Sequence, residues 1–185
     1  MKQSDNIDYS ALKKIRLAEG KILIRPLKIK DLPQTLSWLK DPEVNKFLTA
    51  AYDDLDLKKE QDWLSEMNNS LADFIFAIED KGNKRYIGNC ALHKVDLKKR
   101  ECEFGIVIGD KDYWGKQFGT DAINGIAKIA SRKLKLLKIK LSVYEYNKRA
   151  ISAYKKCGFE VREILTANHL FDGCYRDTIV MEKLL

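Results

Sequence analysis

Short apolar runs and two helical repeats divide this chain. Lys21–Leu27, with Ile22, Ile24 and Leu27 apolar, reads as a first strand with Pro26 near its end. Asp31 predicts a helix cap, and the helix runs to about Leu39 with Pro33 acceptable in its first turn. Asp41-Pro42 breaks the pattern. A second helix is predicted from about Leu57 to Asn68, with Trp63, Leu64 and Met67 on one face. Strand-like runs follow at Phe74–Glu79, Tyr86–Val95 and Glu101–Ile108, joined by a Lys81-Gly82-Asn83-Lys84 turn and a charged turn at Asp96–Arg100. Ala122, Ile123, Ile126, Ala127 and Ala130 then repeat at helical spacing, opposite Asp121, Asn124, Lys128 and Arg132. Leu137–Tyr144 is a strand. Asn147–Cys157 is a helix closed by Gly158, and Phe159–Leu165 and Tyr175–Leu184 are strands linked through an Asp172-Gly173 turn. No repeat or low-complexity linker interrupts this order. It predicts an α+β fold: one mixed, mainly antiparallel central sheet flanked by helices. Residues 1–20 read as a polar extension, and 21–185 as a single domain.

At 185 residues the chain can bury a proper core, and 45% apolar with 33% charged residues is ordinary for a soluble globular protein. Met1–Ser10 is polar, unlike a signal peptide, and no apolar run approaches the roughly 20 residues of a membrane helix. Cys90, Cys102, Cys157 and Cys174 form no Cys-x-x-Cys pair and read as free thiols, three of them in apolar patterns. A cytoplasmic location and no membrane partner follow. The net charge is +7, yet the bases are spread along the chain with no nucleic-acid-binding signature. The expectation is a solvated surface with some pull on an anionic ligand, not a nucleic-acid partner. Asp41–Glu66 reverses the sign: it carries −5, against +12 for the remainder.

The stretch Asp112–Ala122 changes the picture most. It joins the apolar run Phe104-Gly105-Ile106-Val107-Ile108 to the amphipathic helix through a loop holding Gly115 and Gly119. Such a junction aims free backbone N–H groups and a helix dipole at one point, which suits a phosphate, and Lys116 adds a charge. The loop is neither a P-loop nor a Gly-x-Gly-x-x-Gly dinucleotide turn, and a turn that binds nothing stays open.

Asn147-Lys148-Arg149-Ala150-Ile151-Ser152-Ala153-Tyr154-Lys155-Lys156-Cys157-Gly158-Phe159 resembles the N-x-x-A-x-x-x-Y-x-K-x-G-F signature of the GNAT N-acetyltransferase superfamily. Tyr113–Ala122 resembles its acyl-CoA pyrophosphate loop. The Cys102-Glu103-Phe104-Gly105 strand start and the Phe171–Asp177 hairpin are similar to its ribosomal-protein N-terminal and spermidine acetyltransferase subgroup. The resemblance implies a GNAT-like fold over roughly residues 21–184 and acetyl-CoA as co-substrate. It implies that Ile106, Val107 and Ile108 offer main-chain groups to the pantetheine arm, and that Trp114, Gly115, Lys116, Gln117, Phe118, Gly119 and Thr120 wrap the pyrophosphate. Asn147 would hold the pantetheine or a nearby backbone group, Ala150 and Lys156 would line the channel, and Tyr154 would lie near the thioester sulfur. The superfamily also often forms homodimers. One departure stands out: Gln117 replaces the loop's first glycine, where a side chain clashes or demands a positive φ.

The implied reaction is direct transfer of an acetyl group to a primary amine. An alkylamine is mostly protonated, and holding it neutral at pH 7 costs about 4.6 kcal/mol. A base, or a desolvating pocket, must meet that cost, and the departing sulfur needs a proton. Tyr154 is the expected acid. Glu103, in an otherwise apolar strand, is the expected base; a sheet-face glutamate paired with a cross-strand lysine is the alternative. His93 and His169 are further titratable options, each also readable as structural. No His, Cys, Asp and Glu cluster has metal spacing, so no metal is expected. The acidic 41–66 segment falls where the family builds its acceptor lip and would attract a cationic amine, a small molecule or a protein N-terminus. A CoA-binding module with little turnover, and a nucleotide-linked amino sugar as acceptor, are the other readings.

Overall fold

The computed structural model describes residues 9–48 and 54–185. Ordered structure begins before Lys21. A short helix α1 (Tyr9–Leu12) buries Leu12, and strand β1 (Leu17–Glu19) pairs antiparallel with β2 (Ile22–Pro26). The polar extension expected over residues 1–20 is therefore corrected for residues 9–20. A three-residue strand is too short for its alternation to stand out in sequence.

Helices α2 (Leu32–Leu39), α3 (Pro42–Asn45) and α4 (Leu57–Asn69) lead into the meander β3 (Phe74–Asp80), β4 (Tyr86–Asp96) and β5 (Glu101–Ile108). Then come α5 (Phe118–Arg132), β6 (Lys138–Tyr144), α6 (Lys148–Lys156), β7 (Glu160–Phe171) and β8 (Cys174–Leu184). The strands form one eight-stranded sheet in the order β1-β2-β3-β4-β5-β6-β8-β7. Every pairing is antiparallel except β5 with β6. Asp172 and Gly173, at φ 50° and 69°, make the β7–β8 reversal, and β8 inserts between β6 and β7.

The alternation of β3 splits the core between two faces. Phe74, Phe76 and Ile78 join the main cluster, where they meet Ala122, Ile123, Ile126 and Ala130 of α5 and Ile151 of α6. Ala77 turns to the other face and joins Leu27, Leu32 and Leu64. Helix α5 thus covers one side of the sheet, and α2 and α4 the other. Fully burying an isoleucine such as Ile126 stabilises the fold by roughly 1.5–3 kcal/mol.

Asp31 does not cap α2 as its position suggested. Its carboxylate accepts the Lys28 N–H at 2.9 Å and forks onto the buried Arg25 guanidinium at 2.7 and 3.0 Å. Arg25 also reaches Glu79 at 2.8 Å, so a charge only 4% exposed is fully paired.

Candidate active site

The parallel contact between β5 and β6 is short. Glu101, Cys102 and Glu103 pair with Lys138, Ile139 and Lys140, and there the ladder ends. Beyond it β5 stays on β4 as far as Gly88 opposite Ile108, while β6 stays on β8 as far as Tyr144 opposite Thr178. The strands splay and open a cleft of about 810 Å³ lined by Phe104–Ile108 on one side and Leu141–Val143 on the other.

Strand periodicity decides which backbone groups face this gap. Gly109 N–H bonds Ile87 O of β4, and the Val107 carbonyl lies against Gly88, so the odd-numbered residues of β5 face their ladder partner. Ile106 and Ile108 face the gap. The Ile108 carbonyl already accepts the Trp114 indole N–H at 2.6 Å. Of the three residues expected to offer main-chain groups, Ile106 alone keeps its edge free among the described residues. Val107 reaches the cleft with its side chain, and Trp114 seals the end of β5.

The loop after β5 turns on Asp110, which accepts the Asp112 N–H and pairs with Arg85 at 2.8 Å. Gly115 and Gln117 both have φ 74°. Gln117 is therefore held in the left-handed conformation that its place in the loop demanded. It precedes α5, whose first internal bond runs from Asp121 N–H to Gln117 O at 3.0 Å. The N–H groups of Phe118, Gly119 and Thr120 are left over, as at any helix start, and Gly119 and Thr120 line the cleft. Gly115 and Gln117 line it as well. Phe118 does not. Its ring is buried edge-on against Tyr113 at 4.8 Å, so it anchors the helix in the core and only its backbone belongs to the turn. Lys116 is also outside the lining, exposed at the loop tip.

Helix α6 forms the far wall. Asn147 caps it, its side chain accepting the Ala150 N–H at 3.2 Å; of its two expected roles the structure displays the backbone one. Ala150, Tyr154 and Lys156 line the cleft. Tyr154 is 8% exposed and packs edge-on against Phe104. Its hydroxyl bonds no described residue, and burial pushes its pKa well above the ordinary phenol value. It stays protonated at any physiological pH and can donate. Arg149, not expected at the site, lies over the Trp114 ring at 3.7 Å and lines the cleft. Its signal was its position inside the 147–159 motif.

Glu103 lines the cleft, but its carboxylate is half exposed and bound to Lys94 at 3.0 Å, the lysine pairing that the strand pattern left open. His93 stands opposite it in the β4–β5 register, and its Nδ1 meets Asp73 at 2.9 Å. His169 stacks on Tyr144 at 3.9 Å, away from Asp73 and Glu103 in the cluster of Tyr144, Tyr146 and Phe171.

The acidic segment behaves differently from its charge count. Asp41 and Glu43 clamp Lys111 at 2.8 and 2.5 Å, Asp56 caps α4, and Asp62 pairs with Lys58. The segment turns Val44, Phe47 and Leu48 toward the cleft. Asp53 lies outside the described residues. Among the described residues no group of His, Cys, Asp and Glu is arranged to hold a metal, and no helix is long and apolar enough to cross a membrane.

Residues 21–160 match the family described as "Acetyltransferase (GNAT) domain". The crystal structure of spermidine N-acetyltransferase from Vibrio cholerae in complex with CoA and spermine is similar in fold. Its TM-score is 0.82 at 24% identity, over 89% of this chain and 95% of that one. A chimera of the Vibrio cholerae enzyme and hSSAT gives 0.80 at 25% identity, over 89% and 96%. Among sequence relatives, the spermidine N(1)-acetyltransferase of Escherichia coli K12 is 31% identical over 112 residues, 56% of this chain and 60% of that protein. An uncharacterized Methanocaldococcus jannaschii protein is 24% identical over 142 residues, 77% of this chain and 28% of that one. The matched stretch spans less than two thirds of either relative. With a family match across most of its length and the splayed-strand cleft to go with it, the chain belongs to the GNAT acetyltransferase family.

Proposed function

We propose that this protein transfers an acetyl group from acetyl-CoA to a primary amine of a small cationic molecule, by direct attack of the amine on the thioester. The observation that carries the reading is the gap between β5 and β6. One edge of it holds the Ile106 backbone, free among the described residues, its end meets the N–H groups that open α5, and its far wall presents the Tyr154 hydroxyl, which bonds no described residue. An extended pantetheine arm can pair with such a strand edge as an added strand would. A pyrophosphate fits the helix start. Tyr154 can protonate the departing sulfur.

The relatives named as spermidine N-acetyltransferases favour a polyamine over a protein N-terminus or an amino sugar. The clamping of Asp41 and Glu43 by Lys111 leaves fewer free acids at the lip than the sequence count implied, and Lys46 and Arg149 already lie over the Phe47 ring, so recognition of the cation there falls to the remaining carboxylates. A CoA-binding module with little turnover is the second reading, and the strained Gln117 at the phosphate turn is what favours it. We further propose self-association through the outer strand β7, an open edge with Val161, Ile164, Leu165 and Leu170 exposed. Light scattering of Ile164→Lys against the parent chain tests it.

The function is tested by incubating the protein with acetyl-CoA and single amines, spermidine and spermine among them, with free-thiol release and product mass as readouts. Thiol release that depends on the amine is the expected result. Acetyl-CoA binding without turnover on any amine would leave the module reading in its place.

A further inference from the structure

We propose that the proton acceptor for the incoming amine is His93, aimed by Asp73, and not Glu103. The inference rests on the acetyltransferase reading above and deepens it.

The three side chains sit on the sheet face that carries α2 and α4. Glu103 is committed: Lys94 Nζ holds its carboxylate at 3.0 Å. His93 is committed on one nitrogen only. Asp73 Oδ1 lies 2.9 Å from Nδ1, and the other Asp73 oxygen takes the Ser70 hydroxyl at 2.7 Å at the end of α4. A carboxylate accepts, so Nδ1 carries the proton and the Nε2 lone pair is free. Nothing among the described residues bonds Nε2. It lies over Gly105, where a Cβ would stand 3.9 Å from it in ordinary contact; with glycine there, no side chain on β5 covers that nitrogen. His93, Glu103 and Gly105 all line the cleft. The charges around the imidazole are Asp73 from the loop before β3, Glu103 from β5, Lys94 from β4, Lys140 from β6, and Lys13 beyond Asp73.

The proton balance then closes. The ammonium of the acceptor gives one proton to Nε2, and the imidazolium passes it to solvent. The nitrogen lone pair attacks the thioester carbonyl carbon, forming C–N as C–S breaks. Tyr154 protonates the departing sulfur, and the second nitrogen-bound proton restores the phenol. Asp73 is the positioning residue: it holds the ring and its tautomer and touches no reacting atom.

The test is the pH profile of kcat/KM for spermidine, followed by thiol release, in the full chain and in His93→Gln, Asp73→Asn and Glu103→Gln. His93→Gln is expected to lose about 100-fold in kcat, the ordinary contribution of a general base, with acetyl-CoA affinity by calorimetry unchanged. Its acidic limb should vanish, and free imidazole should restore part of the rate in His93→Ala. Asp73→Asn should lower kcat and shift the limb, because the tautomer and ring orientation that Asp73 sets are lost. Glu103→Gln should keep the limb. A His93→Gln protein that binds acetyl-CoA and turns over within threefold of the parent on an unchanged profile overturns the assignment, as does loss of the limb in Glu103→Gln alone. If the parent chain binds acetyl-CoA and acetylates no amine, the transferase reading and this inference fall together.

Discussion

Gln117→Gly isolates the strain at the turn before α5. Gln117 sits at φ 74°, ψ −8°, directly before the first residue of α5. A non-glycine residue in the left-handed region costs roughly 1–2 kcal/mol, which glycine avoids. Glycine also frees the unfolded chain, a loss of about 0.4–1 kcal/mol on folding. The Gln117 side chain is exposed and makes no hydrogen bond among the described residues, so no contact energy is forfeited. The net expectation is stabilisation by about 0.5–1 kcal/mol, or about 1–4 °C in Tm for a domain of this length. Gln117→Ala keeps the strain and should not share the gain. Removing the side chain also clears the approach to the Gly119 and Thr120 N–H groups, so acetyl-CoA should bind more tightly to the glycine variant. Differential scanning calorimetry and titration calorimetry read both effects. A Gln117→Gly protein destabilised by about 1 kcal/mol, the glycine cost with nothing to offset it, would refute the reasoning.

Tyr154→Phe should fold and bind acetyl-CoA as the parent does, because the buried hydroxyl bonds no described residue, and should lose about 100-fold in kcat; unchanged turnover would remove Tyr154 as the acid. Arg25→Ala should cost about 3–5 kcal/mol in urea unfolding, because it strands the buried Asp31 carboxylate without its partner. Glu60, 5% exposed on the inner face of α4, takes no hydrogen bond from a described residue, and burial raises its pKa. Its ionised form opposes folding, so stability should fall as pH rises through and above the ordinary glutamate range. Glu60→Gln should raise stability at pH 7, with the gain disappearing on acidification; urea midpoints across pH would show it.

The α5 stripe was legible because one helix face repeats over several turns, and every position of that stripe is buried. The Asp172-Gly173 reversal was legible because the dipeptide alone supplies two positive φ angles. The demand for a positive φ at Gln117 was legible for the same local reason. Elements that depend on few residues escaped: β1 has three, and the Asp31 cap lost its carboxylate to Arg25, six residues earlier on strand β2. Asn147 as a cap was within reach, since its partner is three residues on.

What the chain determined by itself is local: periodicity, turn chemistry, and the identity of groups able to accept or give a proton. Which of those groups remain free is a matter of pairing across long stretches of chain, and tertiary structure alone decides it. Lys94 takes Glu103 and Asp73 orients His93, although no pattern in one dimension distinguishes the two candidates. Trp114 takes the Ile108 carbonyl and strand parity turns Val107 toward β4, so the free edge narrows to Ile106. The cleft itself exists because two strands that begin as neighbours are each held more firmly by a different partner.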